Sequence, residues 1–165
     1  RGVPRLREAV GNPVRDRGAV VNLEDIRNGL QATLADLPDV RVEAFLPDNP
    51  ESLLGANPLI VIQPDEPYVT YTEGSGRVNQ NEIRFRLLCL PSPQMGAVRV
   101  QKVLDELLSC GTSEPRSLRT KLGSDISANG TACAVSVLQA SIRRFPIGPL
   151  EITGAEVQIM VKARC

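Results

Sequence analysis

The sequence contains no histidine and no tryptophan, and its aromatic residues are limited to two tyrosines and three phenylalanines among 165 residues. Histidine is the commonest general base and the commonest metal ligand at neutral pH, so its absence excludes the usual Ser/His and Cys/His dyads. So few aromatic rings, widely scattered, make no platform on which nucleic-acid bases could stack. The composition therefore argues against most enzymes and predicts no catalytic residue, metal site or cofactor.

A net charge and long apolar runs are also missing. Nineteen basic residues balance nineteen acidic ones, so no global charge attracts the chain to nucleic acid or to an anionic membrane. No stretch approaches the ~18 consecutive apolar residues of a membrane helix. Almost all basic residues are arginines, which suit bidentate ion pairs at interfaces, although a GC-rich genome also produces this bias. We expect a soluble protein whose partners recognise local surfaces.

The four cysteines form no metal-binding or redox motif. Cys89, Cys110, Cys133 and Cys165 lie far apart, without a C-x-x-C pair or a dense disulfide framework, which favours reduced thiols made in a cytoplasm. Cys89 and Cys133 fall in strand-like runs, where cysteine is normally buried and unreactive.

Residues 1–19 are predicted to form an arm, and residues 20–165 a single domain. The arm is rich in arginine and has two prolines, but it lacks the apolar run of a secretory signal. Such a segment is either disordered or ordered against a neighbouring subunit.

Two main helices are indicated by apolar residues at helical spacing. Residues 22–37 predict the first, with Asn22 as its N-cap. Ser92 and Pro93 offer an N-cap and a first helical position for the second, which ends before Gly111. A short third helix is expected over 115–122, with Gly123 as the residue that stops it.

Alternating or continuous apolar runs predict the strands. They fall at residues 40–44, 59–63, 68–72, 82–90, 131–144 and 155–163. Because Pro64 and Pro67 separate the runs 59–63 and 68–72, the pattern leaves open whether these runs form one bent strand or two. The pattern predicts an α+β fold: a single mixed, mainly antiparallel β-sheet with the two main helices packed on one face and a long β-hairpin.

The loop of that hairpin is the candidate interaction loop. It is polar and contains glycine, and its candidate residues are Glu73, Gly74, Ser75, Gly76, Arg77, Asn79, Gln80 and Asn81. The pair Gly74 and Gly76 lacks the further residues of a dinucleotide or phosphate-binding loop, so a flexible hairpin tip is the preferred interpretation. Four arginines are candidate interface or lumen residues: Arg84, Arg86, Arg143 and Arg144. The alternation of the strand over 82–90 predicts that Arg84 and Arg86 share one of its faces.

Two carboxylate pairs are close in sequence, Asp48 with Glu51 and Asp65 with Glu66. All four residues flank prolines. Turn chemistry explains them, and no calcium-loop or glycosidase signature accompanies them.

In the order of its elements, residues 23–164 of the chain resemble the tail-terminator (tail-completion, head–tail joining) proteins of long-tailed siphophages, and an actinobacteriophage is the expected source. The resemblance lies in the opening amphipathic helix, the proline-flanked strand Pro58 to Pro64, the long hairpin, the helix that ends Leu-Asp-Glu-Leu-Leu, and two closing strands joined through Phe-Pro-Ile-Gly-Pro-Leu. The arm before Asn22 has no counterpart in this family.

The resemblance implies a structural virion protein. Its copies would form a ring, usually a hexamer, that caps the tail tube, ends tail polymerisation and joins tail to head. The implied partners are the chain itself, the tail-tube protein and head-completion (neck) proteins, with genomic DNA only as passing cargo in the lumen and no membrane. Its place is the head–tail junction of the virion, after assembly in the host cytoplasm. The alternatives are another neck component such as a head-closure subunit, a tail-tube-like protein, or a small Asp/Glu- or Cys-dependent enzyme.

Overall fold

The structure, a computed structural model, describes residues 22–71, 81–125, 127–128 and 130–163. Within these ranges the predicted α+β class is confirmed: one mixed five-stranded sheet carries two main helices and a short third one. The elements are α1 (Leu23–Ala35), β1 (Arg41–Glu43), a 3₁₀ helix (Pro50–Leu53), β2 (Leu59–Thr70), β3 (Asn81–Leu90), α2 (Ala97–Leu108), α3 (Leu118–Ser124), β4 (Ala134–Ile147) and β5 (Leu150–Ala163).

The strands are ordered β1-β2-β3-β5-β4 across the sheet. β1 pairs with β2 in parallel, and the other three pairings are antiparallel. β4 lies at one edge and is 14 residues long, whereas β1 at the other edge has only three. The last two strands form a tight hairpin, in which Ile147 pairs with Leu150. Its two-residue turn starts at Gly148, whose φ of +56° is the conformation that favours glycine.

The two runs on either side of Pro64 and Pro67 belong to one strand, β2. It is one strand from Leu59 to Thr70, with a break in register between Pro64 and Val69. Proline cannot donate a ladder hydrogen bond, so the pairing with β3 is interrupted there and then resumes.

The helix ends differ from the sequence predictions in α2 and α3. α1 begins as predicted, because the Asn22 side chain accepts a 2.7 Å hydrogen bond from the backbone N–H of Asp25. The prediction that Ser92 caps α2 was wrong. The Ser92 hydroxyl accepts instead from the backbone N–H of Gln94 in a preceding turn, and the helix starts after Gly96.

The short third helix begins and ends later than predicted. Ser117 is its N-cap, since the hydroxyl accepts from the backbone N–H of Thr120. Gly123, predicted as the residue that stops the helix, lies within it. The 115–122 prediction therefore placed the helix correctly but began it about one turn too early.

The core lies between the three helices and one face of the sheet. On β3 the alternate residues Ile83, Phe85, Leu87 and Cys89 are fully buried. They join one apolar cluster with Ile26, Leu30 and Leu34 of α1, Leu104 and Leu107 of α2, and Leu118 and Leu122 of α3. All three helices therefore pack on the same face of the sheet. No helix in the described ranges has the length and apolar character needed to span a membrane.

The opposite face of the sheet is covered at one end only. There the 3₁₀ helix and the tip of the β4–β5 hairpin enclose a second, smaller apolar cluster. Its buried members are Leu59, Val61, Leu88, Leu90, Ile147 and Ile152. Beyond this cluster no described element packs on the sheet, and we call that remainder the open face.

Candidate interaction surface

Arg84 and Arg86 lie in the middle of the open face. Both are on β3, where successive side chains alternate between the two faces, so the burial of Ile83 and Phe85 in the helix-side core turns both arginines to the other side. Across the β3–β5 ladder Arg84 is paired with Met160. The prediction that these two arginines share one strand face is confirmed.

Neither arginine has an ion-pair partner among the described residues. Each is partly buried, and the Nε atoms of both are inaccessible to solvent and have no hydrogen-bond partner in the described structure. No carboxylate in the described ranges lies within ion-pair distance of either one. A half-buried guanidinium without an acceptor can still donate hydrogen bonds to a carboxylate, phosphate or carbonyl oxygen.

Two other cations of the open face lie close to carboxylates on the same face. Lys162 Nζ lies 3.8 Å from Glu82 Oε1. Arg143 NH1 lies 3.9 Å from Glu156 Oε2, whose side chain is largely buried. Because these cations have partners, the unpaired positive charge of the described open face is confined to Arg84 and Arg86.

The structure separates the other two candidate arginines. In the β4–β5 ladder Arg143 is opposite Gly154 and Arg144 is opposite Thr153. Neighbouring strand residues point to opposite faces, so only Arg143 joins the open face. Arg144 NH1 instead lies 3.8 Å from Glu151 Oε2, with both side chains largely exposed.

The candidate interaction loop falls outside the described residues, except for its last member. Glu73, Gly74, Ser75, Gly76, Arg77, Asn79 and Gln80 are not described. Asn81, predicted as part of the loop, is instead the first residue of β3; it pairs with Ala163 and is buried. That part of the prediction was wrong, because the ladder to β5 extends one residue beyond the apolar alternation.

Arg27 of α1 is a structural cation that the sequence reading did not single out. Its guanidinium carbon lies 4.4 Å from the centroid of the Phe45 ring and 5.7 Å from that of Phe85, and NH2 donates a 3.1 Å hydrogen bond to the Tyr68 hydroxyl. The contact brings together three of the few aromatic residues, from distant parts of the sequence. Only the folded arrangement shows it.

Two of the clefts in the described structure bring two carboxylates together. One, of about 350 Å³, includes Asp39 and Glu106, but Arg116 reaches both, at 3.2 and 3.1 Å. The other, of about 470 Å³, is lined by Pro64, Asp65, Glu66, Tyr68 and Arg86. It is an open depression beside the register break of β2.

Potential metal ligands and thiols are further candidates for chemistry in the described part of the chain. It contains no group of three or more cysteine, aspartate, glutamate or histidine side chains placed to hold a metal ion. Burial raises the pKa of the Cys89 thiol to about 12, so this sulfur stays protonated at neutral pH and is a poor nucleophile. Cys110 and Cys133 are exposed free thiols. The expectation that Cys133 is buried was wrong, because β4 begins one residue later, at Ala134.

Comparison with known proteins adds no assignment: no protein-family model matches the chain, and a search of curated proteins also finds no match.

Proposed function

We propose that this chain is a tail-terminator subunit of a long-tailed phage. Its copies form a closed ring, hexameric as in the family it resembles, at the head–tail junction of the virion. The ring caps the tail tube, ends its polymerisation and joins it to neck proteins of the head, and DNA passes through the lumen. Assembly takes place in the host cytoplasm.

The observation that carries the proposal is the open face of the sheet. A helix layer covers one face, while the other presents two half-buried arginines without acceptors in the described structure. A subunit whose activity consists of contacts between copies needs surfaces that remain incomplete in the single chain. The element order that resembles tail terminators supports the same proposal.

The test is to remove the gene from the phage that encodes the chain. We expect full heads that remain unjoined and tail tubes of unregulated length in negative-stain images, because nothing ends tube growth. Supplying the chain from a plasmid should restore tails of uniform length joined to heads. Normal virions without the gene, or a defect restricted to capsid formation, would refute the proposal.

A tail-tube-like protein and a head-closure subunit are the alternatives within the same particle. Purified tube protein keeps polymerising into long open tubes, whereas a terminator stops at closed rings. A head-closure subunit would leave tail length unchanged when its gene is removed. Images of the purified chain and of the mutant tails therefore separate the three proteins.

The cleft beside the β2 register break is the observation that favours an enzyme. It brings Asp65, Glu66 and Tyr68 to one depression, and paired carboxylates can act as acid and base. An Asp65→Asn, Glu66→Gln variant distinguishes the two functions. We expect it to form rings and to join heads to tails normally; a variant that assembles fully but fails to support joining would favour the enzyme.

A further inference from the structure

We propose that the open face of the sheet receives helix α1 of a second copy of this chain, with Arg84 and Arg86 binding the carboxylates of Glu24 and Asp25. The inference rests on the proposed ring, since it names the contact that would link neighbouring subunits. The contact is suggested by two surfaces on opposite sides of one molecule, a cationic sheet face and an acidic helix.

The cationic side is small and geometrically defined. Arg84 and Arg86 are two residues apart on β3, so their Cα atoms are roughly 7 Å apart along the strand. Their side chains are held partly buried among the neighbouring strands, with both Nε atoms unpartnered in the described structure. A guanidinium that is already partly desolvated and ordered loses little entropy when it binds a carboxylate in a bidentate fashion.

The acidic side is the first turn of α1. Glu24 and Asp25 are adjacent and exposed there, and neither carboxylate has an ion-pair partner in the described ranges. The one cation of α1, Arg27, is turned towards Phe45 and Tyr68. The outer surface at the start of this helix is therefore negative, without a cation of its own to neutralise it.

The two sides lie on opposite faces of the sheet, which determines the kind of contact. α1 packs on the helix side through Ile26 and Leu30, whereas Arg84 and Arg86 are on the open face. Contact between them in two copies is head-to-tail, and such heterologous contacts form a ring when the rotation closes. Asp65 and Glu66 fit less well as the acceptors, because they lie beside Arg86 and would favour a two-fold contact instead.

Other occupants of the open face are disfavoured by charge. The 21 residues before Asn22 carry five arginines and only two carboxylates, so this segment has the same sign as the two arginines. A nucleic acid needs a broad basic surface. Here Lys162 lies 3.8 Å from Glu82 and Arg143 lies 3.9 Å from Glu156, so each of these cations has a carboxylate beside it.

A charge-swap experiment on the full chain tests the contact. Arg84→Glu with Arg86→Glu should weaken subunit association by roughly 100-fold or more, because like charges then face each other. Glu24→Arg with Asp25→Arg should weaken it similarly. The variant with all four substitutions restores opposite charges at every contact and should assemble again. Assembly is measured by native mass spectrometry and sedimentation velocity, and folding by circular dichroism.

Two further variants complete the design. Arg99→Glu with Arg119→Glu makes the same change in charge at exposed positions on α2 and α3, and it should assemble like the wild type. Glu24→Gln with Asp25→Asn removes the carboxylates with less strain on the helix end, and it should weaken association even if the four-fold variant fails to fold.

Each outcome has a definite meaning. Full assembly of Arg84→Glu, Arg86→Glu overturns the proposed contact but leaves the ring intact. Loss of assembly without recovery in a folded four-fold variant, or full assembly of the Glu24→Gln, Asp25→Asn variant, overturns α1 as the occupant. If the arginine variant assembles but loses binding to a DNA duplex, the face is a nucleic-acid surface. A wild-type chain that stays monomeric contradicts the proposed function itself.

Discussion

The hydroxyl of Thr33 donates a 2.6 Å hydrogen bond to the carboxylate of Asp125, a residue 92 positions away in the sequence. Thr33 is buried in the middle of α1, and Asp125 caps the C-terminus of α3. The bond therefore joins the first helix to the connection that leads into β4. Ser127 donates to the other oxygen of the same carboxylate, so the pair is part of a small polar network beside the core.

Replacing Thr33 by valine tests the strength of this link. The substitution keeps the shape of the side chain but removes the donor, and a hydrogen bond to a charged group contributes about 1.5–3 kcal/mol. We expect the free energy of unfolding in urea to fall by a similar amount. Thr120→Val is the control, because its hydroxyl makes an exposed bond to the Gly111 carbonyl; it should cost about 0.5 kcal/mol or less. Equal losses of unfolding free energy in both variants would show that the buried hydrogen bond of Thr33 contributes no more than the exposed one of Thr120.

Gly29 is predicted to tolerate no larger residue. A Cβ at this position in α1 would collide with the backbone carbonyl oxygen of Ala128 and with the Thr131 side chain. Gly29→Ala should therefore destabilise the fold by about 1–3 kcal/mol, despite the better helix propensity of alanine. At Gly123, in α3, an added Cβ meets nothing within 4 Å. Gly123→Ala should raise stability by up to about 1 kcal/mol, and thermal unfolding of both variants checks the contrast.

Cys89 should be unreactive in the folded chain. Alkylation requires the thiolate, and burial raises the pKa of this thiol from 9.0 to about 12. Iodoacetamide should therefore label the exposed Cys110 and Cys133 in the folded chain, but it should leave Cys89 unlabelled until the chain unfolds. Peptide mass spectrometry identifies the labelled residues. Rapid labelling of Cys89 in a folded sample would contradict its burial.

Local features of the fold were predictable from the sequence, and its long-range features were not. The alternation around Phe85 was enough to place Arg84 and Arg86 on one face, because side-chain direction follows from strand geometry alone. The capping role of Asn22 was equally local. The sequence did not reveal that Ser92 prefers a turn before α2, since both roles use the same hydroxyl and the choice depends on the whole connection.

Cross-strand register explains what was missed at the candidate surface. The partners of Arg143 and Lys162 on the open face depend on how β4, β3 and β5 align, and β4 shifts register between Val137 and Gln139. A shift of one residue moves side chains to the other face of the sheet. No local sequence pattern shows where such a register shift occurs. Arg143 and Arg144 are separated for a simpler reason, since adjacent strand residues point in opposite directions.

The proposed function requires copies of this chain to form a closed ring. The most direct measurement is the mass of the purified full-length protein under native conditions, over a range of concentrations. We predict one discrete assembly with the mass of a hexamer, which persists on dilution and does not grow at high concentration. A monomer at every concentration, or a continuous series of larger and larger polymers, would contradict the proposal that the chain acts as a tail terminator.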